Sequence, residues 1–121
     1  PPIGSPDGGA CVTAADLDRF MRAVQQGKLL SPSMTQTFFT PQVLYRDRNE
    51  WQIFYGHGIW FRIDKKNGKV VCYQKEGSNP GISGMIRCFP EQDINAVILS
   101  NMEDSAWEPI LKIHELITEE Q

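Results

Sequence analysis

The residues with the clearest chemical potential are Lys75-Glu76-Gly77-Ser78, followed by Asn79-Pro80-Gly81. The segment reads as the end of a strand running into a Gly/Pro-rich loop. A glycine there lets a ligand approach the backbone closely, and exposed backbone N–H groups can serve an oxyanion. Lys75 adds a positive charge for a carboxylate or for an acylation step. The plainer reading is a strand end with a solvated lysine and a loop glycine, and four residues alone favour it.

Other candidates are weaker. His57 falls among Tyr55, Ile59 and Phe61 on an expected strand, and His114 falls in a helical apolar stripe. A lone histidine in such a place is more often packed than catalytic. Ser83, His57 and Asp64 could be drawn as a Ser-His-Asp set, but a chain of this length offers such a set by chance. Trp51, Phe54, Tyr55 and Trp60 suit a ligand-stacking surface, and suit a sheet's packing face better. Cys11, Cys72 and Cys88 lack the short spacings of a metal site and are too few for a disulfide framework. They read as structural thiols, and neither a metal nor a cofactor is expected.

These residues must be positioned by elements that the sequence marks. Thr13-Ala14-Ala15-Asp16 is a capping-box-like helix start, with Leu17, Phe20, Met21 and Val24 at helical spacing and Gly27 as the stop. Ser31-Pro32 starts a short helix that Thr40-Pro41 ends near Phe39. Residues 1–12 read as an irregular leader and 42–51 as a loop. From Gln52 to about Phe61 the period changes to that of a strand with two glycines inside it. Asn67-Gly68 predicts a tight hairpin into a return strand from Val70 to about Lys75. Ile82–Phe89 and Ile94–Ser100 form another strand pair, and the run Ala96-Val97-Ile98-Leu99 predicts cover on both faces. A helix from about Asp104 to Glu119 follows, with Glu119-Glu120 fraying. The expected fold class is α+β, an antiparallel sheet of about four strands flanked by N-terminal and C-terminal helices.

Composition narrows the partners. The chain has 121 residues and a formal net charge of −3, which fits residues 1–121 forming a single domain. The basic residues are dispersed, so no nucleic-acid footprint is present. No apolar run reaches the roughly 18–20 residues that a membrane span needs, and no signal-peptide pattern appears. The opening Pro1-Pro2-Ile3-Gly4, without an initiator Met, suggests a piece of a longer protein.

The register around Lys75 sharpens the reading. From Lys75-Glu76-Gly77 through the Asn79-Pro80-Gly81 turn, the strand to Phe89, Pro90-Glu91 and the apolar strand ending in Asn101, the chain resembles the third-motif region of the serine β-lactamase-like superfamily. The likeness is greatest to class C β-lactamases and related esterases and D-alanyl-D-alanine peptidases. Gly8-Gly9 through Asp16-Leu17 and Phe20 is similar to that family's Gly-Gly-x-x-Ser/Thr-x-x-Asp-Leu-x-x-Phe helix start. Tyr55-Gly56-His57-Gly58-Ile59-Trp60 is similar to its Tyr-Gly-x-Gly-Trp strand, with one residue added. The resemblance spans nearly the whole chain and only the C-terminal part of the family's domain.

The resemblance implies roles and a substrate class. Lys75 would be the basic residue lining an acyl pocket, Gly77 would keep the strand edge open to substrate, and the backbone N–H of Ser78 would be an oxyanion donor. Glu76 stands where a threonine is common, and its carboxylate would repel an anionic substrate. The substrate would be a small-molecule or peptide-like acyl compound, and the location of the longer protein extracytoplasmic. The family's Ser-x-x-Lys and Tyr-x-Asn motifs are not matched here: Ser31-Pro32-Ser33-Met34 and Ser5-Pro6-Asp7-Gly8 lack the lysine, and Tyr45-Arg46-Asp47 and Tyr73-Gln74-Lys75 lack the asparagine. Nucleophilic catalysis needs a hydroxyl with an adjacent base, so this chain by itself is expected not to turn over. Two other readings remain: a non-catalytic binding module on the same scaffold, and a small α+β sensor domain. Self-association, or partial disorder of residues 1–12 and 42–51, is expected where surface is left bare.

Overall fold

A computed structural model describes residues 4–119. The elements are α1 (Ala14–Gln25), α2 (Pro32–Phe38), β1 (Val43–Asp47), β2 (Trp51–Tyr55), β3 (Trp60–Asp64), β4 (Val70–Asn79), β5 (Ile82–Phe89), β6 (Ile94–Ser100) and α3 (Trp107–Thr118). The strands form one antiparallel sheet of six in sequential order, β1 to β6. The fold class is α+β as expected, with six strands where about four were expected.

Both extra strands come from the same stretch. Residues 42–51, expected as a loop, contain β1, whose five residues are exposed at every position. A strand with no buried face carries no alternation to read. The expected long strand from Gln52 is instead a hairpin: Tyr55 pairs with Trp60, and the Gly56 N–H donates to the Ile59 carbonyl at 2.8 Å. Gly58 turns the chain with φ at +85°, a conformation that glycine adopts freely. The apolar alternation runs on through the turn and conceals it.

The helices follow their local signals. Thr13 and Asp16 form the reciprocal capping box of α1, and the Ser31 hydroxyl accepts from the Met34 N–H at the start of α2. The Asn67-Gly68 segment does make a hairpin, but a wider one than a two-residue turn. Asp64 Oδ1 accepts from the Lys66 N–H at 2.7 Å and Asn67 Oδ1 from the Lys69 N–H at 2.8 Å, so the strands end at Asp64 and resume at Val70. α3 begins at Trp107, three residues beyond the expected start at Asp104. The expected fraying at Glu120 lies outside the described residues, as do residues 1–3 of the leader.

Two apolar clusters hold the sheet between the helices. On one face Met21 of α1 packs with Ile59, Phe61, Tyr73, Ile86 and Cys88, and Phe38, Phe39 and Val97 close the edges. On the other, Ala106 and Ile110 meet Met85, with Ala96 and Ile98 alongside. β6 is therefore covered on both faces, as its unbroken apolar run predicts. Cys72 and Cys88 are buried and Cys11 is exposed, and none of the three is in a disulfide among the described residues.

Burial has a measurable consequence at Cys88. It pushes the thiol up to about 12 from an ordinary 9.0, and the buried Tyr73 hydroxyl beside it moves in the same direction. Between those values the unfolded chain has lost the thiol proton and the folded chain retains it, so stability falls as pH rises. Melting followed by circular dichroism is expected to show a loss on the order of 1 kcal/mol per pH unit above about 9. Cys88→Ala is expected to flatten that slope, and an unchanged slope would remove Cys88 as its cause.

Candidate active-site wall

β4 is longer than the strand beside it. Trp60, the first residue of β3, lies opposite Gln74, so Lys75–Asn79 extend past the end of β3. On the other side the same segment is fully paired with β5, through Lys75↔Ile86, Glu76↔Met85, Gly77↔Gly84, Ser78↔Ser83 and Asn79↔Ile82. Backbone groups of an antiparallel strand point alternately to its two neighbours. Alternate N–H and C=O groups of Lys75–Asn79 therefore face a side on which no strand of the described residues pairs with them. The Lys75–Ser78 segment was expected where a strand gives way to a loop; it lies instead inside β4, and the loop is reduced to Pro80-Gly81.

The side chains divide between the two faces. Lys75 and Gly77 share the face of Tyr73 and α1. The Lys75 side chain is exposed, and its ammonium makes no hydrogen bond or ion pair among the described residues. At Gly77 an added Cβ would meet nothing within 4 Å, so the space above the strand is open there.

Glu76 lies on the opposite face, toward α3. Its carboxylate accepts from Trp60 Nε1 at 3.0 and 2.8 Å and from Gln74 Nε2 at 2.9 Å. Gln74 Oε1 in turn accepts from Arg87 Nε at 2.5 Å, and the Arg87 and Arg62 guanidiniums lie 3.2 Å from the two ring nitrogens of His114. Burial lowers the pKa of the Arg87 guanidinium. The Glu76 charge is thus engaged in a network beneath the sheet, on the face away from Lys75. This tempers the expectation that it repels an anionic ligand.

Ser78 is fixed from below as well. Ser78, Ser83 and Ser100 stand in register on neighbouring strands and form a polar row on the α3 face. The Ser78 hydroxyl donates to Asp104 Oδ1 at 2.8 Å, and the Ser83 hydroxyl donates to the Met102 carbonyl at 2.7 Å and accepts from the Ala106 N–H at 3.2 Å. The Ser100 hydroxyl accepts from the Met102 N–H at 3.1 Å and pairs with the Ser105 hydroxyl. The row ties the loop between β6 and α3 to the end of the sheet that carries the open edge.

The remaining candidates separate. His57 is exposed in the β2–β3 turn, contrary to a packed strand position, whereas Asp64 ends β3 at its other extremity and Ser83 is buried and engaged as described. No Ser-His-Asp set forms. His114 is buried on the same face of α3 as Ile110, against Phe89 with ring centroids 5.5 Å apart, and its ring nitrogens join the polar network described above. The four aromatics do not make one surface: Trp51, Tyr55 and Trp60 lie on one face of the β2–β3 hairpin and Phe54 on the other. A cavity of about 530 Å³ lies at the far end of β4, lined by Tyr73, Phe39, Phe89, Arg22, Gln25 and Asn95 among others, and does not include Lys75–Ser78. No cluster of three potential metal ligands occurs among the described residues, and no described helix is long and apolar enough to cross a membrane.

Asp104 and Gln74 were not singled out by sequence as site residues, and Trp60 was noted as an aromatic of the sheet but not as a partner of Glu76. Their partners lie two to 26 residues away. Asp104 sits at φ +55°, which aspartate tolerates better than most residues, but no local motif announces it.

This antiparallel sheet flanked by helices matches a solved structure. The chain is similar to a penicillin-binding protein from Bacillus halodurans, with a TM-score of 0.81 and 28% sequence identity over 93% of this chain. The chain spans only 33% of that protein's length. No family model matches the chain, and no curated protein matches it. The fold is thus β-lactamase-like, of the penicillin-binding-protein kind.

Proposed function

We propose that this chain is the C-terminal portion of a β-lactamase-like serine hydrolase and supplies one wall of its acyl site. The observation that carries the reading is the open edge of β4, with Lys75 exposed beside it and Gly77 unobstructed. On this reading the Ser78 N–H donates to the oxyanion of a tetrahedral intermediate, and Lys75 supplies positive charge to the acyl pocket. The reacting serine and its base come from preceding sequence, so residues 1–121 alone form no acyl-enzyme. The substrate is an amide or ester.

The test is to read the gene upstream of Pro1 for Ser-x-x-Lys and then Tyr-x-Asn, express the longer protein and expose it to a fluorescent penicillin and to an activated ester. Covalent labelling of the longer protein, and none of this chain, is the expected result. If both motifs are absent upstream, the hydrolase reading fails. The lack of a Ser-x-x-Lys here also fits a second reading, a non-catalytic binding module, and reversible thermal stabilisation by peptidoglycan fragments without acylation would favour it.

The same reading predicts bare surface in the isolated chain. β1 is an edge strand with Val43, Leu44 and Tyr45 exposed, and an uncovered edge of this kind is a template for pairing. Sedimentation of this chain is expected to show self-association that grows with concentration. A monomer at every concentration would count against it.

A further inference from the structure

We propose that Asp104 is the positioning residue of this wall: it holds the overhanging end of β4, and with it the Ser78 N–H, at a fixed place relative to α3. The proposal rests on the reading above for the role of Ser78, and on independent geometry for the rest.

An overhanging strand has a mechanical problem. Beyond Gln74, β4 has a partner on one side only, and two-stranded pairing by itself is marginal in water. A donor that stabilises a developing charge must nevertheless be held in place before the charge appears. Two groups meet on a single oxygen to do this. Asp104 Oδ1 accepts from the Ser78 hydroxyl at 2.8 Å and from Trp107 Nε1 at 3.1 Å. The first bond reaches the overhang, and the second reaches the first residue of α3, whose face is packed under β5 and β6. The carboxylate therefore links the free end of the strand to a rigid helix.

The backbone of Asp104 agrees with a fixed role. Its φ of +55° is uncommon for a residue with a side chain, and such a conformation persists when its surroundings over-determine it. The surroundings here are the serine row. Ser83 and Ser100 bind Met102 on the N-terminal side of Asp104, Ser83 binds the Ala106 N–H on the other, and the Trp107 N–H donates to the Asp104 carbonyl at 3.3 Å. The loop is anchored before and after Asp104, which leaves its carboxylate directed at Ser78.

The left-handed conformation supplies a clean test. Asp104→Gly removes both hydrogen bonds while keeping a residue that accepts positive φ without strain, so the fold is retained. Asp104→Asn keeps an acceptor oxygen and removes the charge. Amide hydrogen exchange by NMR on this chain reads the end of β4 directly. Asp104→Gly is expected to speed exchange about tenfold at the amides of Lys75–Asn79 that bond β5, the shift expected for roughly one lost hydrogen bond to a charged group, and to leave Phe61 and Cys88 within about twofold. Asp104→Asn is expected to restore most of the protection. Unchanged exchange at those β5-bonded amides in Asp104→Gly overturns the proposal. So does an equal acceleration at every amide, because that is a general loss of stability and not a local hold. The measurement requires no nucleophile, so its failure is distinct from failure of the acylation test above.

Discussion

Phe61→Ala is expected to lower the unfolding free energy by about 3–5 kcal/mol, read from the midpoint of a urea titration. Phe61 is 1% exposed and sits where three elements converge. It pairs with Phe54 and Tyr73 across β2, β3 and β4, its ring lies 5.9 Å from that of Tyr73, and Met21 of α1 packs in the same cluster. Removing the ring leaves a cavity beneath a helix as well as lost apolar burial. Domains of this size have total stabilities of about 5–15 kcal/mol, so the variant is expected to be partly unfolded at 37 °C. A change below about 1 kcal/mol would show that this face of the sheet collapses around the gap. Gly56 probes the same ring from the other direction. A Cβ there would lie 2.7 Å from Phe61 Cε2, so Gly56→Ala is expected to cost about 1–3 kcal/mol through overpacking.

The second large effect is on chemistry and needs the longer protein. There Lys75→Ala is expected to lower the rate of acylation by an activated ester about a hundredfold to ten-thousandfold, the range for losing a group that assists proton transfer or charge stabilisation. The fold is expected to be indifferent, because the Lys75 side chain is exposed and its ammonium makes no hydrogen bond or ion pair among the described residues. Gly77→Val makes the same separation sterically. A Cβ at Gly77 meets nothing within 4 Å, so stability should hold or rise slightly, while branched bulk over the open edge should obstruct acylation. Equal melting temperatures with lost labelling would place both residues at the reacting site. Unchanged labelling in both variants would move the acyl site away from β4.

The contrast between Gly56 and Gly77 also shows what a sequence discloses. Both are glycines in strand-like surroundings, and only the fold reveals that one is pressed against a buried ring and the other faces open space. Local signals were legible wherever the physics is local. The Thr13–Asp16 cap, the Ser31-Pro32 start and the doubly covered β6 all depend on neighbours a few residues away, and all are present. β1 was illegible because a strand exposed on both faces has no apolar period. The β2–β3 turn was illegible because Gly56 and Gly58 continue the alternation through it. At the candidate wall, sequence pointed to the Lys75–Ser78 segment and to an open edge. It could not supply Asp104 or the Trp60–Glu76 bond, since each is made by a register between distant segments.

The place where β3 begins has a consequence of its own. The hairpin closes at Gly56–Ile59, and that closure decides how many residues of β4 stay uncovered. The aperture is therefore metered by turn placement, in steps of one strand residue, about 3.3 Å each. Shifting the turn so that β3 began two residues earlier would lay backbone across Lys75 and Glu76 and shorten the slot to Gly77–Asn79, with no side chain of β4 changed. The length of the open edge is in this sense encoded upstream, in a glycine pair that lies outside β4.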